Sequence, residues 1–328
     1  MADVAVVGAG LNGLAAAWAL RRRGCDVVVY EQFELGHTRG SSHGATRIFR
    51  LAYPETHWVR LAQEAFDGWR ELERESGEEL LHLNGLLELY REGAVSSQQA
   101  LEECNAACEL LTREETEERF GVSPSTDSFV LFQPDAGVVY ADKALAAFAR
   151  GLDIRERRRV ESLDDVDEPV VVVAAGPWAR RLLEPHGIDL PVVETHETIA
   201  YFHLEGPVPS VVAEVVTKGH GFYSLSDPVY GLKVGSHLRG TPADPDEAIG
   251  ADPALVEEIA AWTRERFPRA DPQPLDPQSC FYTTTDDERF ILERHGRIVV
   301  GSACSGHGFK FGPAIGTRLA ALAVEALG

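Results

Sequence analysis

Short apolar runs and helical periodicity alternate along the chain in the way typical of an α/β protein. Continuous apolar runs predict strands buried on both faces of a sheet at residues 4–7, 26–30, 170–174 and 298–300. Apolar residues at helical spacing predict helices over 14–23, 57–75, 96–111, 113–120, 141–149, 255–267 and 317–327. Strand patterns dominate 198–204, 210–216, 222–226 and 230–235. Gly85, near the middle of residues 80–90, predicts a β-hairpin there.

The first predicted strand runs into the sequence Gly8-Ala9-Gly10-Leu11-Asn12-Gly13, and the second predicted strand ends at Glu31. The order strand, G-x-G-x-x-G, helix, strand, acid is the fingerprint of a dinucleotide-binding unit. Gly8 permits the tight turn, Gly10 lets the backbone approach the pyrophosphate, and Gly13 brings helix and strand together. Asn12 lies in the same turn, and Glu31 can accept hydrogen bonds from a ribose hydroxyl. The unit predicts a dinucleotide site and leaves FAD and NAD open.

The chain begins and ends with strand–helix pieces and carries a strand-rich block between them, which predicts discontinuous domains. We expect an α/β fold with two domains, in which a Rossmann-like domain is joined to an antiparallel-sheet (α+β) domain. The Rossmann-like domain is predicted over residues 1–82, 141–192 and 285–328. The second domain, expected to bind the substrate, is predicted over residues 83–140 and 193–284.

The net charge argues against nucleic acid and anionic membranes as partners, and the cysteine spacing argues against a metal site. The sequence has 31 Lys and Arg against 52 Asp and Glu, a net charge of −21, which argues against nucleic acid or an anionic membrane as a partner. No apolar run has membrane-spanning length, and the early first strand leads us to expect no signal peptide and a cytoplasmic location. Cys104 and Cys108 would share a helix face, but without a second ligand pair we predict no metal site.

Motifs recur along the chain in the blocks Gly8–Gly13, Ser42–Arg50, Pro134–Val139, Ala175–Trp178, Gly231–His237, Cys280–Ile291 and Ser305–Phe311. Together they resemble the monomeric sarcosine oxidase and N-methyltryptophan oxidase family, whose members are FAD enzymes of the D-amino-acid-oxidase-like superfamily. The resemblance covers nearly the whole chain. The blocks that begin at Ser42 and Gly231 and the last two are the most specific. The resemblance therefore implies that the dinucleotide is FAD.

The resemblance also implies roles for residues late in the chain. Cys280 would attach the flavin covalently, with Tyr282 in the same segment. Lys233 would lie next to the flavin and activate dioxygen, because a fixed positive charge stabilises superoxide in a pocket of low dielectric. His237 lies four residues further along the same predicted strand and would share its face. The alternatives are a small strand residue for Cys280 and a surface lysine for Lys233.

Arg50 and Lys310 match the pair that binds the substrate carboxylate in the family, where a guanidinium offers two parallel donors and an ammonium a point charge. Arg47 matches the arginine that lies against the flavin ring. A surface ion pair is the alternative for both arginines. The other cofactor contacts that the resemblance implies are Ser42, His43, Thr46, Val160, Gly176, Trp178, Gly306, His307, Gly308 and Phe309.

The sequence departs from the family pattern in two places. The segment Gly151–Val170 is shorter than usual, although Val160 is still expected on the adenine side. The aromatic residue over the substrate amine is predicted to be Tyr223 or Phe222, and the loop Ser224–Tyr230 differs from sarcosine oxidases.

The resemblance implies an FAD-dependent oxidase, expected as a monomer, that takes a secondary (N-methyl or cyclic) α-amino acid and dioxygen and gives an imine and hydrogen peroxide. Which such amino acid it takes stays open at this point. The alternatives are a dehydrogenase with a quinone or protein acceptor, a primary-amine D-amino acid or glycine oxidase, and a non-catalytic FAD-binding protein.

Overall fold

The computed structural model describes residues 2–90, 94–124, 129–213, 221–247, 250–302 and 304–328. The described helices are α1 (Leu11–Arg22), α2 (Thr56–Ser76), α3 (Ala94–Glu103), α4 (Arg113–Phe120), α5 (Ala141–Ala149), α6 (Ala179–Leu183), α7 (Pro253–Arg266) and α8 (Gly312–Leu327). The described strands are β1 (Val4–Val7), β2 (Val27–Tyr30), β3 (Thr46–Phe49), β4 (Leu81–His82), β5 (Leu86–Tyr90), β6 (Glu109–Leu111), β7 (Phe129–Gln133), β8 (Gly137–Tyr140), β9 (Asp153–Arg155), β10 (Val170–Val173), β11 (Val193–His203), β12 (Ser210–Ala213), β13 (Gly221–Asp227), β14 (Gly231–His237), β15 (Thr241–Pro242), β16 (Leu275–Thr284), β17 (Ile291–His295) and β18 (Ile298–Ser302).

The first sheet has the strand order β17-β18-β10-β1-β2-β9, and its pairings are parallel except between β17 and β18. Its two faces are both buried. Val6 and Val172 pack into the core formed with α1 and α8, whereas Val7 and Val173 pack on the opposite side with Leu163. The continuous apolar runs of the sequence are therefore strands of a doubly covered parallel sheet, which confirms the predicted α/β class.

The second sheet has the order β15-β11-β14-β13-β12-β5-β7-β6, with β16 also paired to β11. Its described pairings are antiparallel apart from that between β12 and β5. Leu232 and Val234 of β14 pack with Ile259 of α7. Because side chains alternate across a strand, Lys233 and His237 face the opposite side of this sheet.

A third, small sheet of order β3-β8-β4 lies beside the other two and carries Arg47 on β3. Thr46–Phe49 form β3, and the remaining residues of the Ser42–Arg50 block lie in the loops on either side of it. A 3-10 turn at Phe309–Phe311 leads directly into α8 and holds Lys310.

Several predicted elements were wrong in detail. Residues 80–90 do not form a hairpin, because β4 pairs with β8 in the small sheet while β5 pairs with β7 and β12 in the second sheet. The helix predicted over 96–111 ends at Glu103, and residues 109–111 form β6 instead. Cys104 and Cys108 therefore do not share a helix face. The strand predicted over 210–216 is described to Ala213, and its remainder lies outside the described residues.

Two helices that border the site begin earlier in the structure than the sequence predicts. Helix α1 begins at Leu11, inside the glycine motif rather than at residue 14, because Gly10 already has the extended backbone of an N-cap. Helix α8 begins at Gly312 rather than at residue 317. Within the part of the chain that the structure describes, no helix is long and apolar enough to cross a membrane.

Candidate active site

A cavity of about 710 Å³ reaches from the glycine turn after β1 to the face of β14 that carries Lys233. Its wall includes every sequence-predicted site residue except Gly13: Gly8, Gly10, Asn12, Glu31, Ser42, His43, Thr46, Arg47, Arg50, Val160, Gly176, Trp178, Tyr223, Lys233, His237, Cys280, Tyr282, Gly306, His307, Gly308, Phe309 and Lys310. Phe222, the alternative to Tyr223, lines it as well. The structure therefore brings together residues that lie up to 302 positions apart in the sequence, from Gly8 to Lys310.

The glycine turn forms one end of the cavity. Gly8 has a φ of +103°, and a Cβ placed on it would lie 2.5 Å from the Ala174 carbonyl oxygen. A Cβ on Gly13 would lie 1.9 Å from the Gly8 carbonyl oxygen, so Gly13 fixes the approach of α1 to the turn rather than lining the cavity. Gly10 and Leu11 line the cavity where α1 begins, and the Leu11 N–H donates to Ser42 Oγ at 3.1 Å. A helix N-terminus of this kind favours a phosphate group.

Glu31 lies at the end of β2 and is 4% exposed. Its Oε2 accepts from the Ala9 N–H at 2.8 Å, and its Oε1 accepts from the Phe33 N–H at 2.9 Å. His37 Nε2 lies 3.5 Å from the same carboxylate. Burial lowers the pKa of His37. The carboxylate is thus fixed in place beside the glycine turn, with oxygen lone pairs left to accept from a ribose hydroxyl.

Val160 and Trp178 line the cavity, and the Trp178 ring packs against Phe33, two residues after Glu31. Trp178 lies on the 3-10 turn that begins at Gly176, and its Nε1 donates to Asp246 Oδ1 at 2.8 Å. Arg181 forms ion pairs with Asp244 and Asp246. These contacts join the segment after β15 to the segment after β10.

Lys233 is 4% exposed and lies in the interior of β14. Its Nζ lies 3.5 Å from the Thr46 carbonyl oxygen. Burial and the nearby Arg47 guanidinium lower the pKa of Lys233 to about 7. A Cβ on Gly235 would lie 2.5 Å from the Tyr223 hydroxyl, so the small residue between Lys233 and His237 makes room for that ring.

Arg47 is tied to its own loop. Its guanidinium donates to the carbonyl oxygens of Thr46 at 2.9 Å, Ser41 at 3.0 Å and His43. His43 Nδ1 lies 3.0 Å from the Gly40 carbonyl oxygen, and burial and Arg47 lower the pKa of His43 to about 4. The loop therefore presents a fixed cation and a neutral imidazole to the cavity, and Thr46 Oγ1 is buried without a hydrogen-bond partner among the described residues.

Cys280 lies in β16 opposite Glu197 of β11, and its thiol is free. Burial raises the pKa of the Cys280 thiol, while the charges of Arg47 and Lys233 act in the opposite direction. Tyr282, two residues on, packs its ring against Gly306, where a Cβ would come within 2.1 Å of that ring. The Gly306–Phe309 segment thereby folds tightly over the end of β16.

A cationic cluster forms the other end of the cavity. Lys310 Nζ donates to the Tyr53 hydroxyl at 3.0 Å and to the His307 carbonyl oxygen at 2.6 Å. His307 Nε2 lies 3.0 Å from the Glu288 carbonyl oxygen, and Nδ1 lies 3.2 Å from the Tyr53 hydroxyl. Burial, together with the charge of Lys310, lowers the pKa of His307, so a neutral imidazole accepts from Tyr53 and donates to Glu288.

Arg50 extends this cluster. Its guanidinium carbon lies 4.3 Å from the centre of the Tyr53 ring, and its Nη1 is hydrogen-bonded to Glu88 Oε1. Burial lowers the pKa of Lys310, and Arg50 lowers it further. An anion that entered this end of the cavity would relieve the repulsion between the two cations.

Sequence reasoning missed Tyr53, Trp58, Glu88, Glu288 and His37. Trp58 lines the cavity and stands in an aromatic group, with its ring centre 5.1 Å from that of His307 and 5.0 Å from that of Phe290. The available signals were a tyrosine three residues after Arg50 and a single acidic residue inside the apolar run of β5.

The residues present fit FAD. The turn at Gly8 and Gly13 is a cradle that any side chain would fill, and the start of α1 and the carboxylate of Glu31 suit a pyrophosphate and a ribose. The cavity wall also carries Arg47 and Lys233, whose positive charges suit a flavin ring that gains electrons. Among the described residues there is no cluster of three His, Cys, Asp or Glu side chains able to hold a metal ion.

Comparison with known proteins agrees with this fit. The model of the DAO family, described as FAD dependent oxidoreductase, matches residues 3–322. The human peroxisomal sarcosine oxidase is 32% identical over 98% of this chain and 92% of its own length. The monomeric sarcosine oxidase of Bacillus sp. strain B-0618 is 30% identical over the same shares.

Solved structures give the same fold. The Tyr258Phe mutant of NikD, an amino acid oxidase essential for nikkomycin biosynthesis, superimposes with a TM-score of 0.87 at 28% identity, over 99% of this chain and 94% of that chain. The L-proline dehydrogenase of P. horikoshii has a TM-score of 0.84 at 20% identity, over 98% and 93% of the two chains, which is a likeness of fold. On the family match and the two relatives above, the chain belongs to the DAO family of FAD-dependent oxidoreductases.

Proposed function

We propose that this chain is an FAD-dependent oxidase of secondary, N-methyl or cyclic, α-amino acids that produces an imine and hydrogen peroxide. One observation carries the proposal: Arg50 and Lys310 line the same cavity as Lys233 and Cys280. The first pair suits a carboxylate, and the second pair suits a flavin that reacts with dioxygen. The names of the relatives from human and Bacillus, both sarcosine oxidases, support the same substrate class.

When bound, FAD supplies the two-electron acceptor for oxidation of the carbon–nitrogen bond. The chain's own residues bind and orient the substrate. Arg50 and Lys310 hold the carboxylate, which restores the full charge of the buried lysine. Trp58 and Tyr223 line the cavity and limit the side chain and the amine to fixed positions. Positioning of this kind is a large part of the rate enhancement that a protein adds to a cofactor.

The amine reacts in its neutral form. The imidazoles in the cavity wall, His43 and His307, have pKa values lowered by burial, so they stay uncharged at neutral pH. The cations Arg47 and Lys233 further disfavour a protonated amine. Lys233 also supplies the positive charge that stabilises reduced dioxygen.

We further propose that Cys280 attaches the flavin through its thiol, since that thiol is free and lines the cavity beside two cations. We assign residues 1–82, 141–192 and 285–328 to an FAD-binding domain and residues 83–140 and 193–284 to a substrate domain. Each domain also contributes to the other ligand, since Arg50 and Lys310 of the first would bind the substrate carboxylate and Cys280 of the second would attach the flavin. We assign a monomer, as the name of the Bacillus relative states for that protein.

An anaerobic titration of the holoenzyme with sarcosine, N-methyl aromatic amino acids, pipecolate and L-proline tests the proposal. We expect one of them to bleach the flavin absorbance and, in air, to consume oxygen and form peroxide in equal amounts. Bleaching by glycine or primary D-amino acids alone would contradict the secondary-amine assignment. Reduction without oxygen consumption would instead identify a dehydrogenase.

Acid precipitation tests the attachment. The yellow colour is expected to stay with the precipitated wild-type protein and to remain in the supernatant for Cys280→Ser. Cys304→Ser is the matched control, because Cys304 lines the same cavity but lies outside β16. Release of FAD from the wild type would contradict a covalent bond and leave the oxidase assignment standing.

A further inference from the structure

We propose that Glu88 is a positioning residue for Arg50, and that the substrate carboxylate binds together with one proton taken up at Glu88. The inference rests on the proposed function, in which Arg50 binds the carboxylate. It adds a residue that does not line the cavity and makes the affinity for substrate depend on pH.

The geometry places Glu88 behind Arg50. Glu88 lies in β5 and is 1% exposed, whereas the Arg50 side chain is 19% exposed and lines the cavity. The guanidinium is held between the carboxylate of Glu88 and the face of the Tyr53 ring. Because a guanidinium held on two sides keeps one orientation, Glu88 determines which of its N–H groups face the substrate.

Apolar residues flank Glu88 on the two neighbouring strands. In the sheet it is paired with Leu131 of β7 and Val212 of β12. The polar groups that face it are Arg50 and Tyr53 from the segment after β3 and the Ser97 hydroxyl from α3. Burial raises the pKa of Glu88 to about 7, although Arg50 and Ser97 both favour the carboxylate. Glu288 acts on Arg50 and Tyr53 from the cavity side.

A substrate carboxylate on Arg50 would be the second anion on one guanidinium. Two carboxylates that share a site disfavour the doubly charged state, and the one with the higher pKa becomes protonated. Glu88 is buried and the substrate carboxyl is an ordinary acid, so Glu88 takes up the proton from solvent. The proton-bound form keeps a hydrogen bond to Arg50 and releases the full guanidinium charge to the substrate.

The sign of the pH dependence follows. Below pH 7 Glu88 is already protonated in the free protein, and affinity does not depend on it. Above pH 7 each bound carboxylate requires one more proton, so the dissociation constant rises by up to about tenfold per pH unit. Lys310, whose pKa is lowered by burial, contributes a dependence of the same sign. Substitution of Glu88 is therefore needed to separate its contribution to the pH dependence of the dissociation constant from that of Lys310.

Glu88→Gln keeps the size and the hydrogen bond but removes the charge. The test measures acetate binding to the FAD-loaded protein by the change in flavin absorbance from pH 6 to 8.5, with acetamide as the neutral probe. Between pH 7 and 8 the dissociation constant of the wild type is expected to rise about fivefold more than that of the variant, because Glu88 is still half protonated in the free protein at pH 7. Glu73→Gln, which neutralises a carboxylate that accepts from the Leu80 and Leu81 N–H groups, is the matched control and should behave as the wild type.

Lys310→Met provides a second arm that does not depend on Glu88→Gln folding. Calorimetry in two buffers of different ionisation heat counts the protons taken up with acetate. Lys310→Met is still expected to take up about one proton for each acetate bound. If the variant takes up none, the uptake belongs to Lys310 and the inference is overturned. Equal pH dependence in the wild type and Glu88→Gln would also overturn it while leaving the carboxylate site intact. A wild type that binds acetamide as well as acetate would overturn the carboxylate site itself and the coupling with it.

Discussion

Lys233 is a buried cation whose neighbours are arranged for it to lose its proton readily. It is 4% exposed, it lies near Arg47, and its Nζ is close to the Thr46 carbonyl oxygen rather than to a carboxylate. The charge of Lys233 does not stabilise the fold, because it is buried and is repelled by the nearby charge of Arg47. Its position on the cavity wall instead suits a transient negative charge that forms during reaction with dioxygen.

Lys233→Met is therefore expected to slow reoxidation of the reduced enzyme by about 10²-fold and to slow reduction by the substrate far less. Stopped-flow absorbance in the two half-reactions measures both rates. Lys143→Met, on α5, is the control, because Lys143 packs on the Tyr140 ring and does not line the cavity. Equal slowing of the two half-reactions would contradict the assigned role of Lys233.

The pKa of Lys233 leads us to expect that the rate of reoxidation depends on pH. The pKa of Lys233 is lowered to about 7, so its positive charge is present below pH 7 and is lost as the pH rises through that value. Reoxidation is expected to slow above pH 7 in the wild type, and to be flat with pH in Lys233→Met. A wild-type rate that increases between pH 7 and 9 would mean that the charged lysine does not assist this step.

At this scale the sequence predicts the residues that carry motifs and misses those that support them. Lys233, Arg50 and Lys310 stand in recognisable blocks, so their place on the cavity wall could be anticipated. Glu88 could not, because one acidic residue in an apolar strand says nothing about which group it faces. Only the pairing of β5 with β7 and β12 brings its carboxylate behind Arg50.

At the scale of elements, the hydrophobic periodicity and the length of each apolar segment decided which helices and strands could be predicted from the sequence. Helices α4 and α5 and the buried strands β1 and β10 have strong local patterns and lie where the sequence places them. Strand β16 was missed because residues 275–284 mix polar and apolar types without alternation, and its pairing with β11 holds it in the sheet. The false hairpin at 80–90 arose because Gly85 punctuates two strands that belong to different sheets.

Helix α2 shows how an element distant in sequence positions a site residue. Trp69 is fully buried, and its Nε1 donates to the Lys310 carbonyl oxygen at 2.7 Å. Its ring also stacks on Phe309 with centres 6.2 Å apart. The helix thereby fixes the 3-10 turn from which Lys310 reaches the cavity.

Trp69→Phe is expected to lower the free energy of unfolding by about 1–3 kcal/mol, because it leaves the Lys310 carbonyl oxygen without its donor and the core with lost volume. It should also raise KM for the amino acid more than it lowers kcat, since Lys310 would bind the carboxylate less firmly. Denaturant unfolding and steady-state kinetics measure the two effects. Trp262→Phe is the control, because Trp262 packs in the separate core between α7 and the second sheet. It should cost stability without a selective change in KM.

At the scale of the molecule, the cavity joins parts that have separate cores. The glycine turn follows a strand of the first sheet, and Lys233 and Cys280 belong to the second sheet. The main hydrophobic cluster of the second sheet is separate from that of the first, although Leu131 of β7 packs into the first. The contacts of Trp178 and Arg181 with Asp246 add a polar connection between the segments that follow β10 and β15. A ligand that spans the cavity would therefore touch both parts, and its binding free energy would add to the stability of the whole chain.

This linkage can be measured in Cys280→Ser, in which the flavin binds without a covalent bond. FAD is expected to raise the unfolding temperature of the cofactor-free variant, because at about 100 times the dissociation constant it adds about 2.7 kcal/mol to the free energy of unfolding. FMN at the same concentration lacks the AMP half and is expected to give a smaller shift, because it leaves the glycine turn and Glu31 without a ligand. A single unfolding transition that moves as a unit would mean that both sheets respond to the cofactor. Two transitions, of which FAD moves only one, would contradict a ligand that spans the cavity, and equal shifts with FMN and FAD would contradict a role for the Gly8–Glu31 end in binding.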